Sequence, residues 1–579
     1  MANAMWIYFD DARAGGAAPR LYSGASEIIV ARTQAEVLPA LEAIRAGVRS
    51  GSHAAGYLSY EAGYALDPAL KYSARDSGGP LLCFGLFDGF VSPSIDQLPG
   101  DPDGAMVGVP RPRIGPEEYV AAVERVREHL FAGDFYQANL TFGCDVAVAG
   151  DVLAVYKRLR RSSLAGWGGV LRTDELALVS CSPEQFFTIR DGVVEALPMK
   201  GTAPRLTDAD SDRAEAEALA ADEKQRAENL MIVDLMRNDL ARVSETGSVA
   251  VPDLFRVDHY PTVHQMVSRI TSRLRDGLDA VDVLKTIFPC GSVTGAPKIA
   301  AMQALRRLEG EARGAYTGSM GWIEPGGDAA FNVLIRTLAW RNGATVARLG
   351  LGSGLVVDSK PRDEWDECLL KGDFVRREER QFDLIETMRF DPSEGIVELE
   401  RHLARLKGSA EDLDFRFDRH AARNELQAAT FGRKERGMVR LLLAKGGAMA
   451  IQVKPFDDPE ETPVRVALAP LPVDPGDFRL RYKTTDRHFY DKARSESGAY
   501  EALFVDPDGH VTEGSRSNVF VEKDGKLLTP PSGSLMPGVL REILLEQGKA
   551  VEAPVTPDDL KDGFFVGNIV RGLIPAKLA

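Results

Sequence analysis

The feature that most constrains the fold is a run of charged residues near the middle of the chain. The segment 371–382, KGDFVRREERQF, lies between two stretches of alternating, strand-like character. A chain of 579 residues exceeds what one hydrophobic core supports, because single cores stop growing near ~250–300 residues. We therefore predict two domains, residues 1–375 and 380–579, with residues 1–110 forming an N-terminal part of the first.

Composition and charge exclude several classes of protein. The chain is 44% hydrophobic and 27% charged, and no stretch approaches the ~18 apolar residues of a membrane span. Its 70 basic and 85 acidic residues give a net charge of −15, the wrong sign for a protein that tracks nucleic-acid phosphates. The N-terminus shows no secretory signal. We predict a cytoplasmic protein without a membrane or nucleic-acid partner.

The cysteines do not suggest disulfides or zinc. There are five, and no two form a C-x-x-C pair. An odd number of widely spaced cysteines argues against a disulfide framework and against a structural zinc site. We expect reduced thiols.

Hydrophobic periodicity predicts a mixed α+β chain. From Pro116 to Phe131 the apolar residues recur at spacings of three and four, and the predicted helix stops at Gly133. Alternating or β-rich runs predict strands, and longer periodic runs predict helices. The strands are predicted at 175–181, 186–189, 193–197 and 382–390, the helices at 211–240, 297–308 and 400–412, and a hairpin near 439–447.

Two glycine-rich segments invite comparison with phosphate loops, and neither matches. Gly291–Lys298 lacks the G-K-[ST] ending, and Gly350–Gly354 leads into a strand-like run. Neither predicts a nucleotide site. The first precedes a predicted helix, so its amides either bind a carboxylate or form an ordinary loop-to-helix turn.

One predicted helix near the end of the first domain carries an acidic stripe. Glu364, Glu367 and Lys371 lie at i, i+3 and i+7 and share one face. Such a stripe is usually solvated. Mg²⁺ prefers oxygen ligands and typically takes a few carboxylates, so a metal site would need a third acid, for which Glu228 is the candidate.

Six motifs follow one another in a specific order in the first domain. They are SPE (182–184), PMKGT (198–202), ENLMIVDLMRND (228–239), FPCGSVTGAPK (288–298), FNVLIRT (331–337) and the segment from Asp358 to Lys371. In this order they resemble the chorismate-utilising enzymes. The resemblance covers roughly residues 1–375 and implies that family's α/β sandwich.

The resemblance implies a role for each candidate residue of the first domain. Glu184 would be the general acid, and Lys200 the nucleophile that attacks chorismate. Mg²⁺ would bind Glu228, Glu364 and Glu367. The remaining candidates would hold the substrate: Arg336, Tyr316, Lys371 and the amides of Gly352 and Gly354 at its carboxylates, and His264 near the leaving hydroxyl.

Two positions select among the reactions of this family. Lys200 resembles the lysine that the 4-amino-4-deoxychorismate synthases have at this position. The anthranilate synthases carry a small residue there. Gln137 stands where the isochorismate and salicylate synthases have a water-activating lysine. Neither Cys83 nor Cys290 lies on the glycine-flanked elbow of a glutaminase nucleophile. The resemblance therefore implies amination with ammonia from a separate glutamine amidotransferase.

The second domain carries a different set of motifs. They are HLARL (402–406), YKTT (482–485), VTEGSRSNVF (511–520) and LMPGVLR (535–541). They resemble the fold-type IV pyridoxal-phosphate (PLP) enzymes, a group that contains branched-chain aminotransferases and aminodeoxychorismate lyase. The resemblance implies that Lys483 is the Schiff-base lysine, that Glu513 keeps the pyridine nitrogen protonated, and that Arg405 pairs with the phosphate.

Two positions depart from the fold-type IV pattern. The family often has hydroxyl residues where this chain has Leu540 and Ile569. Each loss removes a phosphate contact of about 1–2 kcal/mol. The amides of Val539 and Leu540 remain as donors.

Together the two resemblances imply one pathway. The first domain would aminate chorismate, and the second would remove pyruvate to give 4-aminobenzoate, the folate precursor. Two alternatives stay open: an anthranilate synthase component fused to an aminotransferase, and a catalytically silent second domain. The fold-type IV resemblance also implies a homodimer.

Overall fold

The computed structural model describes residues 5–70, 75–76, 78–260, 263–455, 459, 461–533 and 535–579. The chain divides into two compact units. The first comprises residues 1–98, 109–146 and 156–378, and the second comprises residues 99–108, 147–155 and 379–579. The division after Glu378 lies inside the charged run 371–382.

Strands and helices alternate irregularly along the first two thirds of the chain. The strands are β1 (Trp6–Asp10), β2 (Arg20–Ser23), β3 (Glu27–Ala31), β4 (His53–Leu58), β5 (Leu82–Phe87), β6 (Met106–Val107), β7 (Arg111–Pro112), β8 (Gln137–Ala149), β9 (Trp167–Arg172), β10 (Leu176–Ser182), β11 (Gln185–Arg190), β12 (Val193–Ala196), β13 (Met199–Pro204), β14 (Ala250–His259), β15 (Val263–Arg273), β16 (Gly295–Ala296), β17 (Ser319–Ile323), β18 (Ala329–Asn332), β19 (Thr337–Arg341) and β20 (Val346–Leu355). The helices are α1 (Gln34–Arg49), α2 (Pro116–Ala132), α3 (Val152–Ser163), α4 (Ala209–Ala221), α5 (Glu223–Ala241), α6 (Ala280–Ile287), α7 (Lys298–Leu308), α8 (Pro361–Lys371) and α9 (Asp373–Arg376).

The first unit is built on two large antiparallel sheets. One runs β16-β8-β20-β19-β10-β9-β1-β2, and the other runs β13-β15-β12-β11-β18-β17-β4-β5-β3. Side chains from both sheets, such as Ile7, Leu178, Tyr57 and Met320, form a shared apolar cluster. This face-to-face packing is the sandwich that the family resemblance predicts.

Helices cover the other face of the second large sheet. Leu41 of α1, Ile232 of α5 and Leu284 of α6 pack with Phe187 and Phe331 from the strands. Because α5 and the strand β13 contact each other here, this layer brings motifs from distant parts of the sequence together.

Local signals set the helix ends. Gly133 caps α2 with φ 78, as its position after the apolar run predicts. The predicted helix 211–240 is wrong as a single element, because Asp222 leaves helical geometry and its side chain accepts from the Gln225 amide. An aspartate N-cap thus starts α5 where periodicity alone showed no break.

The second unit contains two further sheets. Its strands are β21 (Leu384–Asp391), β22 (Gly395–Ile396), β23 (Gly437–Leu443), β24 (Met449–Pro455), β25 (Val464–Pro470), β26 (Glu501–Val505), β27 (Val511–Gly514), β28 (Asn518–Lys523), β29 (Lys526–Thr529), β30 (Ala550–Glu552), β31 (Phe564–Asn568) and β32 (Gly572–Leu578), and its helices are α10 (Leu399–Leu413), α11 (Arg419–Thr430), α12 (His488–Ser497) and α13 (Val539–Glu546). The small sheet runs β22-β21-β23-β24, and the larger one runs β27-β26-β25-β32-β31-β28-β29-β30.

One face of the small sheet forms a core with two helices. Val439 and Leu441 of β23 pack against Leu403 and Leu406 of α10 and Leu426 of α11. Successive side chains of a strand point to opposite faces, so the alternate residues of β21 and β23 lie on the face away from this core.

Two observations bear on the classes considered above. No helix in the described ranges is long and apolar enough to cross a membrane. The five cysteines are free and buried.

Candidate active sites

Glu184 lies in a buried position just after β10. The Ser292 hydroxyl donates a hydrogen bond of 2.7 Å to Glu184 Oε1. Burial raises the pKa of Glu184 to about 7, although Ser292 and the ammonium groups of Lys200 and Lys371 act in the opposite direction. A carboxyl group with this pKa holds a proton for much of the time at neutral pH, which suits a general acid.

Lys200 on β13 lies between an acidic group and an amide. Its Nζ is 3.2 Å from Glu228 Oε2 on α5. A Cβ atom placed on Gly354 would lie 3.1 Å from Lys200 Nζ and 3.0 Å from Gln137 Nε2. The glycine therefore leaves the space in which Lys200 and Gln137 approach the same point.

Gln137 is the least satisfied polar side chain of this region. It is only 1% exposed, and neither its Oε1 nor its Nε2 has a hydrogen-bond partner in the described structure. A buried unpaired amide costs free energy, so Gln137 is positioned as a group that a ligand would satisfy.

Helix α8 presents the predicted acidic stripe beside the same strands. Lys371 Nζ lies 2.8 Å from Glu367 Oε1 and donates a bond of 2.9 Å to the carbonyl oxygen of Gly352. The ammonium group thus holds the end of α8 against β20. Gly350, Gly352 and Gly354 lie within this strand. The glycine-rich segment is therefore a strand, and neighbouring side chains can approach its backbone closely.

The predicted magnesium ligands have suitable chemistry but are not gathered. Glu228 is paired with Lys200 and Glu367 with Lys371. Among the described residues no three acidic, histidine or cysteine side chains are spaced to hold a metal ion. Carboxylate oxygens suit Mg²⁺, but here lysines supply the positive charge.

Arg336 and Tyr316 are two predicted substrate-binding side chains; Tyr316 lies near the glycine-rich strand and Arg336 follows β18. Arg336 has a positive φ of 49, a strained backbone conformation of the kind that clusters at functional sites. Burial lowers its pKa, and it forms no ion pair within the described ranges. Tyr316 is packed against Gly350, where a Cβ atom would lie 2.0 Å from the ring.

His264 lies in a separate hydrogen-bonded cluster. Its Nε2 is 2.9 Å from Asp212 Oδ1, and its Nδ1 is 2.8 Å from His259 Nδ1. Both ring nitrogens are therefore occupied by protein groups.

The sequence motifs predict no role for the Ser292 side chain. They indicate only that the backbone amides of the GSVTG segment could bind a carboxylate. The segment forms a short 3₁₀ turn, Gly291–Val293, and it is the side chain that reaches Glu184. The signal in the sequence that could have indicated a role for Ser292 is its position next to Gly291 in the GSVTG motif.

Lys483 is the predicted Schiff-base lysine of the second unit. Its backbone carbonyl accepts from the Ile385 amide, which fixes it beside β21. Burial lowers the pKa of Lys483 to about 7, and the cations Arg405, Arg487 and Arg440 add to this effect. An amine that is neutral for much of the time near pH 7 is a competent nucleophile.

Glu513 on β27 is buried among hydrogen-bond donors. The Tyr490 hydroxyl donates to Oε1, and the Met536 amide donates to Oε2 at 3.1 Å. Burial nevertheless raises the pKa of Glu513 to about 8. The carboxyl group can therefore hold a proton that a ring nitrogen would share.

Arg405 is fixed by a buried acidic network. Its Nε and Nη2 donate to the two oxygens of Glu386 at 2.9 Å and 2.7 Å, and Nη1 donates to the Pro537 carbonyl at 2.9 Å. Glu386 also bonds to His402 Nδ1 at 2.7 Å. Of the five N–H groups of a guanidinium, three are used and two remain for an anion.

The N-terminus of α13 is the anion-binding feature of this unit. Gly538 caps the helix, and a Cβ atom there would lie 2.1 Å from Asn518 Oδ1, so only glycine fits. Val539 and Leu540 supply the first amides, which favour phosphate. The Leu540 side chain packs against the apolar cluster of Phe520, Leu544 and Ala550, so the lost hydroxyl is replaced by an apolar contact.

These residues fit PLP as a group. A partly neutral lysine, a protonated buried carboxyl, an arginine with free donors and a helix N-terminus are the elements that PLP requires. Ile569 remains a departure, because the amides that follow it, Val570 and Arg571, are taken by Asn568 Oδ1.

Comparison with known proteins gives two family matches. The family model for chorismate binding enzymes matches residues 8–377. The model for class IV aminotransferases matches residues 383–579. The fold is accordingly that of a chorismate binding enzyme followed by a class IV aminotransferase.

Curated relatives cover part of the first domain. Aminodeoxychorismate synthase component 1 from Klebsiella aerogenes is 42% identical over 262 residues, which are 45% of this chain and 57% of that protein. The chain thus spans little more than half of that relative. Anthranilate synthase component 1 from Methanothermobacter marburgensis is 38% identical over 335 residues, 54% of this chain and 71% of that protein.

A solved structure agrees with the fold of the first unit. Anthranilate synthase component I from Streptococcus pneumoniae TIGR4 superposes with a TM-score of 0.53 at 24% identity, covering 65% of this chain and 91% of that one.

Proposed function

The chain belongs to the chorismate binding enzyme family, and on that basis we propose a bifunctional enzyme of 4-aminobenzoate synthesis. Residues 1–375 aminate chorismate to 4-amino-4-deoxychorismate. Residues 380–579 use PLP to remove its enolpyruvyl group as pyruvate, which leaves 4-aminobenzoate. The ammonia comes from a separate glutamine amidotransferase.

The observation that carries the first step is a protonatable Glu184 that lies close enough to Lys200 for the ammonium charge to influence its pKa. In the proposed reaction the Lys200 amine forms a bond to the chorismate ring while the ring C–O bond breaks. Glu184 gives its proton to the departing hydroxyl, which leaves as water. Ammonia then replaces the lysine, and the amine of Lys200 is restored.

The other residues of the first site orient the reactants. Arg336, Tyr316 and the Gly352–Gly354 backbone face the substrate carboxylates. Gln137 offers an amide where a hydrating enzyme needs a base, so it does not activate water. Mg²⁺ binding by Glu228, Glu364 and Glu367 stays a prediction, because Glu228 and Glu367 pair with lysines in this structure. We also propose that His264 orients the β13–β15 region through Asp212.

In the second site the chain's residues bind and orient the cofactor and move one proton. PLP, when bound, acts as the electron sink for cleavage of the substrate. Lys483 would anchor it and carry the proton, Glu513 would keep the ring nitrogen protonated, and Arg405 with the α13 amides would hold the phosphate.

The proposal is tested with the purified chain loaded with PLP. It is incubated with chorismate, Mg²⁺ and a high concentration of ammonium salt, which replaces the amidotransferase. We expect 4-aminobenzoate and pyruvate, identified by chromatography and mass. If 4-amino-4-deoxychorismate alone accumulates, the second domain is silent. Anthranilate as product would favour the anthranilate synthase alternative, which the Methanothermobacter relative also supports.

Ser292→Ala should alter the pH dependence of the first step. The Ser292 hydroxyl stabilises the ionised form of Glu184, so its loss raises the Glu184 pKa further above about 7. A general acid works in its protonated form, and activity is lost as pH rises through the pKa. The alkaline limb of kcat/KM for chorismate, measured at constant free ammonia, should therefore move upward by on the order of one pH unit.

The control is Ser50→Ala, whose hydroxyl bonds only to a backbone carbonyl, that of Gly47. Its pH profile should match the wild type. An unchanged alkaline limb in Ser292→Ala would remove Glu184 from the role of acid.

A further inference from the structure

A buried arginine of the first unit is held by a carboxylate four positions before it. Arg313 is 4% exposed and lies between α7 and β17. Its Nε donates to Glu309 Oε2 at 3.0 Å, and its Nη2 donates to Glu309 Oε1 at 2.7 Å. The amide and the hydroxyl of Thr141 on β8 also donate to Glu309 Oε1, at 3.0 Å and 2.9 Å. The guanidinium is therefore fixed in one orientation.

The remaining N–H groups of Arg313 bind three other residues. Nη1 donates to the Val293 carbonyl at 2.8 Å and to Thr317 Oγ1 at 3.2 Å. Nη2 also donates to the Asn139 carbonyl at 2.7 Å. A guanidinium has five N–H groups, so all five are used. Because breaking any of these bonds leaves a buried polar group unpaired, Arg313 fixes the positions of the groups that it binds.

The bond to Val293 supports the candidate general acid. Val293 ends the 3₁₀ turn Gly291–Val293, and the middle residue of that turn, Ser292, donates to Glu184. Burial raises the pKa of Glu184 to about 7, and the Ser292 hydroxyl acts in the opposite direction. The turn cannot leave Arg313 without moving this hydroxyl.

The bonds to Thr317 and Asn139 reach residues predicted to surround the substrate. Thr317 Oγ1 accepts from Arg313 and donates to the Tyr316 carbonyl at 2.6 Å. Thr317 has a positive φ of 59, a conformation that is rare for a β-branched residue and needs support from its surroundings. Asn139 lies two positions after Gln137 on β8. Arg313 thus joins the acid to the predicted substrate-binding residues.

We propose that Arg313 is a positioning residue of the first site. It holds Ser292 at Glu184 and fixes the backbone at Tyr316, and it does not bind chorismate itself. All five donors face protein groups, so none is left for a substrate carboxylate. This inference rests on the proposed function, because it assigns Arg313 to the reaction of chorismate.

Arg313→Lys tests the positioning role in the PLP-loaded full chain. Lysine keeps the positive charge beside Glu309, but it has three donors and no planar fork, so it cannot form all five bonds. Displacing reacting groups by about 1 Å costs roughly 100-fold in rate. We expect a loss of that size in kcat/KM for chorismate at saturating ammonium, with a higher KM. Pyruvate release from supplied 4-amino-4-deoxychorismate should keep the wild-type rate, because Arg313 lies in the first unit.

The pH profile separates positioning from a loss of stability. Release of the turn takes Ser292 away from Glu184 and raises the Glu184 pKa. The acid then stays protonated to higher pH, so the alkaline limb of kcat/KM moves upward by on the order of one pH unit, as in Ser292→Ala. In the Ser292→Ala background, Arg313→Lys should add no further shift, because the hydroxyl that it positions is absent. An arginine that only stabilises the fold would not move this limb.

Thr317→Val tests the other arm of the network. Valine keeps the branched shape but loses the hydroxyl between Arg313 and the Tyr316 carbonyl. We expect the KM for chorismate to rise roughly 10-fold, with the alkaline limb unmoved. The control is Arg45→Lys, which weakens a partly buried arginine network with two aspartates at the start of α6, Asp279 and Asp282. Its chorismate kinetics and pH profile should match the wild type.

The outcomes separate this inference from the proposed function. Calorimetric titration measures chorismate affinity without turnover. If the wild type binds chorismate but does not consume it, the amination step is rejected, and roughly tenfold weaker binding by Arg313→Lys and Thr317→Val still supports the positioning role. An unmoved alkaline limb in Arg313→Lys would overturn that role, as would a shift that adds to the shift of Ser292→Ala. If Arg313→Lys does not fold, an unchanged KM in Thr317→Val overturns it.

Discussion

Lys483→Ala should abolish 4-aminobenzoate formation and let 4-amino-4-deoxychorismate accumulate. Removal of a covalent anchor and proton carrier costs roughly 10³-fold or more in rate. Because the first site does not use Lys483, consumption of chorismate with ammonium should continue at the wild-type rate. Both products are followed by chromatography in one reaction.

Lys483→Ala should fold normally. The Lys483 side chain makes no ion pair within the described residues, so its removal leaves no buried charge unpaired. Thermal unfolding of the apoprotein should therefore match the wild type. The control is Lys492→Ala on α12, whose side chain is exposed and 3.9 Å from Glu496. Wild-type 4-aminobenzoate production by Lys483→Ala would disprove the assignment.

Lys200→Ala should stop formation of 4-amino-4-deoxychorismate itself. The variant loses the nucleophile, and a loss of roughly 10³-fold or more in chorismate consumption is expected. Its second site should still convert supplied 4-amino-4-deoxychorismate to 4-aminobenzoate and pyruvate. The measurement is chorismate consumption at saturating ammonium.

The matched control for Lys200→Ala is Lys360→Ala. Lys360 is exposed and lies 4.0 Å from Asp363, so its loss should change neither reaction. If Lys200→Ala made anthranilate instead of nothing, Lys200 would be a determinant of product and not the required nucleophile. Unchanged formation of 4-amino-4-deoxychorismate would reject both roles.

Local sequence patterns predicted many of the elements well. The helix from Pro116 is confirmed and ends at Ala132. The strand predicted after the charged run 371–382 extends from Leu384 to Asp391. Periodicity and capping residues act over a few positions, so they are readable in the sequence. The prediction of one helix over 211–240 is wrong because Asp222 ends α4. Its side chain caps the N-terminus of the next helix, α5.

Motif order predicted which residues matter but not how each is bonded. Arg405 is predicted to pair with a phosphate, and this pairing stays a prediction; the structure shows its bonds to Glu386 and to the Pro537 carbonyl. Ser292, Glu386 and Tyr490 were not predicted at all. Their partners lie between 16 and 108 positions away, beyond the range of any local pattern.

The sequence by itself determined the two family matches, and it predicts the roles of Lys200 and Lys483 and, through Lys200 and Gln137, the choice of amination. These follow from residue identity and order along the chain. Tertiary structure alone decided the charge states and the unpaired groups. The pKa of Glu184 rises to about 7 and that of Lys483 falls to about 7 because folding removes both from water. Arg313 bonds to Val293 and Asn139, 20 and 174 positions away, only because folding brings these segments together.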